Sequence, residues 1–440
     1  MSVRPKTFLP LNITPRTRRI SKLFGLVDDK VLNFNDGMQI ASSSSSRDEN
    51  TMHLLRRSVS SLFHKPPIVC AMSVTENLSK QKDCRAILDS PGVPRDPDAY
   101  PISWSRRNLI AVVCLFDIFY QDLNTKSVSQ LCRSTHSTTS VIQWAGDGVE
   151  NYLASGNNSG SVLIWDAGTP GRGQVLCKWR GTPFDSIKSL AWNQTVLATG
   201  AASGELSLID TRVANTISKV GLHTSPLVGL QWSSDGTFLA SGDKSGIVQI
   251  WDRRVGKSLL DGADTKKIRH KGSAKALSWC PWKHDLLATG TTAPEGKIRI
   301  WNTSSMTSPV PTPERTIPLN TSVTSLHWSP HCKEILSTHG SSFTPVLQSR
   351  SQNSANAGKL SHTKTPLVNS IAVHQYPSCK RLMTLTDAHS SVVTHSCLSP
   401  EGESIFTVCP REETIKMWKV WSAPKPIGKR ECAFDKYAIR

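Results

Sequence analysis

"GIVQIWDRR", residues 246–254, is an alternating apolar strand closed by Ile-Trp-Asp, and it does not stand alone. Near-copies occur at 160–168 ("GSVLIWDAG"), 204–212 ("GELSLIDTR") and 296–304 ("GKIRIWNTS"), with a poorer one at 413–421 ("ETIKMWKVW"). The anchors Trp165, Ile209, Trp251 and Trp301 are spaced 44, 42 and 50 residues apart. Ahead of each copy lies a strand of small residues: "YLASGNNSG", "VLATGAASG", "FLASGDKSG", "LLATGTTAP". A further strand precedes that one, as in "SVIQW", "GLQWSSDG" and "SLHWSPH". Short alternating strands bounded by Gly, Asn and Asp turns are what antiparallel pairing requires. Asp235-Gly236 and Glu401-Gly402 stand where a hairpin needs positive φ. A period of ~40–50 residues ending in Ile-Trp-Asp is the signature of a four-stranded propeller blade.

Counting the weaker copies gives innermost-strand anchors at Trp104, Trp144, Trp192, Trp232, Trp279, Trp328 and Cys397. "VVCLFDIFYQDLNT" supplies the outer strands of the first blade and "VNSIAVHQYPS" those of the sixth. The expected fold is all-β, a seven-bladed WD-repeat β-propeller over residues 87–421, whose radial repetition leaves only short edges. Residues 341–365, rich in Ser, Asn and Lys, read as a flexible surface loop in the sixth blade. Residues 1–86, with "ASSSSSRDEN" and "HLLRRSVSSLF", read as a disordered basic arm. Its Ser and Thr residues, Thr14 before Pro15 among them, are phosphorylation candidates. Residues 422–440 read as a flexible tail.

The net charge of +18 invites a nucleic-acid or acidic partner, but only residues 1–22 concentrate it, with six basic residues and no acid. Aromatics are not interleaved with the basic residues, so direct nucleic-acid binding is disfavoured. No apolar run has the length to span a membrane, and the N-terminus lacks a signal-peptide core. The expectation is a soluble protein of nucleus and cytoplasm. The eleven cysteines are scattered from Cys70 to Cys432 without a Cys-x-x-Cys pair, so neither a zinc site nor a disulfide framework is expected. No H-E-x-x-H, G-x-S-x-G or G-x-x-x-x-G-K is present, and the expectation is no catalysis and no cofactor. His223, His270 and His389 recur ahead of blades and read as structural hydrogen-bond partners.

"CRAILDSPGVPRDPDAYPISWSRRNLIAV", residues 84–112, goes beyond a generic repeat. It resembles the segment by which the Fizzy and Fizzy-related proteins enter their propeller. "ALSWCPWKHDLLATG", "SPHCKEILSTHG" and "HQYPS" are similar to phrases of that family's later blades, so the resemblance covers roughly residues 84–421. The family consists of co-activators of the anaphase-promoting complex, a multisubunit ubiquitin ligase. The resemblance therefore implies a substrate-recruiting role in cell-cycle proteolysis, mitotic or meiotic. Degron-bearing substrates, ligase subunits and checkpoint inhibitors are the partners it implies. It also gives the terminal Ile439-Arg440 a meaning: the family ends in Ile-Arg, received by a tetratricopeptide groove on the ligase.

A second docking element of the family, Asp-Arg-Phe/Tyr-Ile-Pro-x-Arg, has its nearest match in "KTFLPLN", residues 6–12. Phe8, Leu9 and Pro10 fit its centre, while Lys6, Thr7 and Asn12 replace the acid and both arginines. Neither replacement reproduces a bidentate guanidinium. Weak docking, an incomplete N-terminus, and compensation by Arg16, Arg18 and Arg19 all remain open.

In the family a destruction box (Arg-x-x-Leu) binds between the first and last blades, in an acidic pocket beside an apolar slot. Asp117, Glu412 and Glu413 are the carboxylates expected to serve it here. The receptor for the KEN degron is eroded. The family's "GGNDN" loop of blade three reads "GDKSG", with Lys244 and Gly246 at its asparagines. Its blade-four "GGGT" reads "GTTA" at 290–293, and Val392 replaces the blade-seven arginine. Weak or absent KEN recognition is expected. The alternative to a ligase co-activator is a non-catalytic propeller scaffold for chromatin or RNA assemblies.

Overall fold

The computed structural model describes residues 73–424, apart from 134–136, 169–172, 214–216, 256, 260–266, 307–310, 346–359 and 363–364. Phe8, Leu9, Pro10, Ile439 and Arg440 lie outside the described residues. Seven antiparallel sheets of four strands each form a β-propeller, the fourth and sixth sheets carrying one additional short strand apiece. The innermost strands begin with Ile102–Trp104 and end with His395–Leu398. Each packs on the next, and the seventh packs on the first, which closes the ring.

The anchors found by period are the residues that join blades. Trp192, Trp232, Trp279 and Trp328 each donate Nε1–H to a main-chain carbonyl of the preceding blade: Gln143, Ala191, Gln231 and Ser278, at 3.0–3.2 Å. A buried indole thus satisfies its polar edge while its rings fill the space between sheets. The seventh blade has Cys397 at that place, and its junctions use other means. His327 Nε2 lies 2.9 Å from Ser396 Oγ, and Trp104 packs on Phe406 with ring centres 4.6 Å apart.

The last sheet is composite. Its outermost strand is Ala86–Asp89, paired with Thr414–Lys419 in the register Ala86 to Met417 and Asp89 to Thr414. Ordered chain also extends ahead of the expected boundary at residue 87. The turns at 73–80 bury Val74 and Leu78 completely, in one cluster with Val420 and Trp421. Glu334, 4 % exposed, accepts from Val74 N at 3.2 Å and from Trp421 Nε1 at 2.8 Å. The arm's last residues are apolar enough to cover the sixth and seventh blades, which a reading of its composition as a whole obscured.

Two further expectations are corrected. The insert in the sixth blade leaves as a two-stranded ribbon, with Phe343 opposite His362 and Pro345 opposite Leu360. Phe343 is buried, so the insert's base is part of the core. Counted from Trp104, the 242–246 turn belongs to the fourth blade and 290–293 to the fifth, each one blade later than expected.

Candidate functional site

Three blades share one polar relay. In the fourth, Trp251 Nε1 donates to Ser241 Oγ (2.8 Å), which meets His223 Nε2 (2.8 Å), while His223 Nδ1 meets Asp243 (3.0 Å). The fifth repeats this with Trp301, Thr289, His270 and Glu295, and the seventh with Trp418, Thr407, His389 and Glu412. These histidines are the structural partners expected. Burial pushes the His270 and His389 imidazoles below the ordinary value against the pull of their carboxylates. In the fifth and seventh blades the strand-end acid is missing: Thr291 and Cys409 stand where the fourth has Asp243. A glutamate from the following turn reaches in instead.

That placement decides Glu412. It meets His389 Nδ1 at 2.6 Å, accepts from Thr414 Oγ1 at 2.9 Å and from Ser390 N. Burial alone would raise its pKa, but the Ser390 and His389 contacts hold it well below the usual carboxylate range. His389, Cys409 and Glu412 lie within 4.8 Å of one another. Both imidazole nitrogens are engaged, by Glu412 and Thr407, so this is the blade's relay and offers no free metal-binding lone pair. The third blade has Ile209 in place of the tryptophan and Ala201 in place of the acid. A cavity of about 370 Å³ between the second and third blades, lined in part by Thr199 and Ile209, marks the missing relay.

Glu413, one residue on, has a different setting. It adopts φ +54°, and its carbonyl accepts from Ser90 N at 2.8 Å. Its carboxylate is 3.9 Å from exposed Arg95. Glu413 borders a cleft of about 470 Å³ whose walls include Val93, Arg95, Asp96, Leu115 and Phe116. Leu115 and Phe116 are 63 % and 47 % exposed, apolar side chains on the tight turn between two strands of the first blade. Asp117 follows them but accepts from Gln130 Nε2 at 3.1 Å, which engages it in that blade's outer ladder. Sequence reasoning passed over Asp89. The composite sheet sets it opposite Thr414, the neighbour of Glu413, and it is exposed. The signal was present in "AILDSP", but its proximity depends on a pairing across more than three hundred residues.

The segment from Asp96 to Tyr100 crosses the centre of the ring. Tyr100, Ser140, Lys188, Val228, Lys275 and Thr324 each stand four residues before their blade's innermost tryptophan. Tyr100 takes its N–H to Ser140 O (2.9 Å) and its hydroxyl to Val228 O (2.6 Å). Lys275 Nζ donates to Pro97 O, Ala99 O and Thr394 O at 2.6–3.0 Å, 4.7 Å above the Tyr100 ring. Burial pushes the Lys275 ammonium down to about 8. Asp96 pairs with Lys188 and Asp98 with Lys244, both at 3.0 Å.

A closed ring of seven four-stranded blades with Trp–Ser/Thr–His–acid relays defines a WD40 propeller. The sequence profile of the CDC20/Fizzy WD40 domain matches residues 88–418. The chain belongs to that family. It is 32 % identical over 352 residues to the WD repeat-containing protein slp1 of Schizosaccharomyces pombe, covering 78 % of this chain and 63 % of that protein. It is 28 % identical over 405 residues to the anaphase-promoting complex subunit cdc20 of Dictyostelium discoideum, covering 90 % of this chain and 71 % of the relative. Identity to the APC/C activator protein CDC20 of Saccharomyces cerevisiae is 30 %, over 78 % of this chain and 51 % of the relative. A chain in the crystal structure of a mitotic checkpoint complex superposes with a TM-score of 0.64 at 29 % identity, covering 77 % of this chain and 96 % of that one. The match thus spans less than two thirds of slp1 and about half of the Saccharomyces protein.

Proposed function

We propose that this chain is a substrate-recruiting co-activator of the anaphase-promoting complex. One observation carries the degron half of the reading: the cleft beside the seam of the first and last blades. Glu413 offers a carboxylate to a guanidinium, and Leu115 with Phe116 offers apolar surface to a leucine. An Arg-x-x-Leu peptide needs those two chemistries together. The relatives' names, as activators or subunits of that complex, support the ligase half. Phe8, Leu9 and Pro10 together with Ile439-Arg440 are the proposed docking segments. Checkpoint proteins are proposed partners, supported by the complex in which the solved relative sits. The protein acts by raising the effective concentration of substrate at the ligase, in nucleus and cytoplasm. KEN degrons are bound weakly or not at all: Lys244 and Gly246 stand where the family has asparagines, and Val392 offers no guanidinium.

The test is capture of purified anaphase-promoting complex by the full chain and by a chain lacking Ile439 and Arg440, followed by ubiquitination of a destruction-box substrate. Capture and activity by the full chain that fall at least about tenfold on deletion bear the proposal out. No capture by the full chain refutes it, and steeply salt-dependent binding to RNA or DNA would instead favour the scaffold reading.

A further inference from the structure

The middle of the propeller carries a basic site that the chain fills from within. Lys188 and Lys275 occupy the same position in the third and fifth blades, and Lys244 tops the fourth between them. Three ammonium groups facing one mouth would repel each other unless anions lay between them. The anions present are Asp96 and Asp98, two residues apart on the segment that Tyr100 and Lys275 pin across the ring. Main-chain carbonyls of that segment satisfy Lys275, and each carboxylate takes one of the other two lysines.

We propose that residues 96–100 are an internal ligand, and that Lys188 and Lys244 form a receptor for an acidic peptide with closely spaced carboxylates, which this segment keeps closed. The anchoring is unequal. Lys275 is buried, and Tyr100 is half-buried with its hydroxyl bonded to Val228 O, so the root of the segment is fixed. The Lys244 side chain is 58 % exposed, and an ion pair of that exposure is weak because solvent screens it. A competing carboxylate therefore reaches Lys244 first, without unfolding the root. Asp96 also borders the cleft beside Glu413, but Lys188 and Lys244 do not line that cleft, so the lysine arms of the test do not depend on the degron reading.

The experiment uses the full chain and a fluorescein-labelled deca-glutamate peptide, followed by fluorescence anisotropy at low salt. The Asp96→Asn/Asp98→Asn double variant is expected to bind at least about tenfold more tightly than the wild type, with affinity falling as salt rises. Adding Lys188→Met and Lys244→Met to it removes the gain. Equal binding by wild type and double variant overturns the proposal, as does a gain that survives loss of both lysines. Should the double variant lack a cooperative melt, Asp98→Asn alone carries the test: it leaves the Asp96 pair and the Lys275 contacts intact. That variant must show a gain that Lys244→Met abolishes. A thymidine decamer binding the double variant as tightly as the glutamate peptide would overturn the assignment to carboxylates.

Discussion

Neighbouring glutamates at 412 and 413 have opposite duties. Glu412 closes the seventh blade's relay, and Glu413 faces the cleft. Glu412→Ala strands the buried His389 Nδ1 and the Ser390 N–H, so it should cost about 2–4 kcal/mol of stability. Glu413→Gln should leave stability within about 0.5 kcal/mol and weaken an Arg-x-x-Leu peptide about tenfold. Denaturant melts beside peptide titrations of both variants check this, and a destabilising Glu413→Gln would contradict it. The two roles could be separated in the sequence once the strand ends are aligned. At Thr291 and Cys409, which replace the acid at the place of Asp243 in the two other blades with a relay, a glutamate follows within four residues. Asp89 was not legible in that way. Its value comes from the register of a long-range pair, which no local spacing encodes.

At the scale of elements, what repeats was readable and what occurs once was not. Six tryptophans at a fixed place in the innermost strands announced six blades, and four of them make the same interblade bond. The central segment "RDPDAYP" has no period, and its acids gain meaning only from lysines about 90 and 150 residues away. The turns at 73–80 were hidden for the same reason: Val74 and Leu78 are isolated apolar residues whose partners, Val420 and Trp421, lie at the far end of the domain. A chain beginning at residue 86 keeps the strand Ala86–Asp89 but uncovers Trp421 and leaves its indole and Glu334 short of a neighbour. It should be less stable than one beginning at residue 73 by about 3–6 kcal/mol, two buried aliphatic side chains' worth. Chemical denaturation of the two truncations decides it, and equal midpoints would show the contact to be superficial.

The whole molecule encloses histidines that cannot easily be charged. Burial pushes His327 and His374 down to about 4 and His339 to about 3, with His395 well below its ordinary value. In the unfolded chain these groups titrate near 6.5. Between pH 6.5 and about 4 the unfolded state therefore binds protons that the native state refuses. Stability is full above 6.5 and is lost as pH falls through that window, by up to about 1.4 kcal/mol per histidine per pH unit. Thermal melts should drop by several degrees between pH 7 and pH 5, whereas a flat profile would mean that the central imidazoles hydrate. The composite last blade has its own consequence during synthesis. Asp89 leaves the ribosome roughly 325 residues before Thr414, its partner in the sheet. At ~5–20 residues per second that is a wait of roughly 16–65 s. Through that interval the nascent propeller is an open arc with one raw edge at each end, exposed to mispairing. A message cut short before codon 414 yields a chain whose ring never closes.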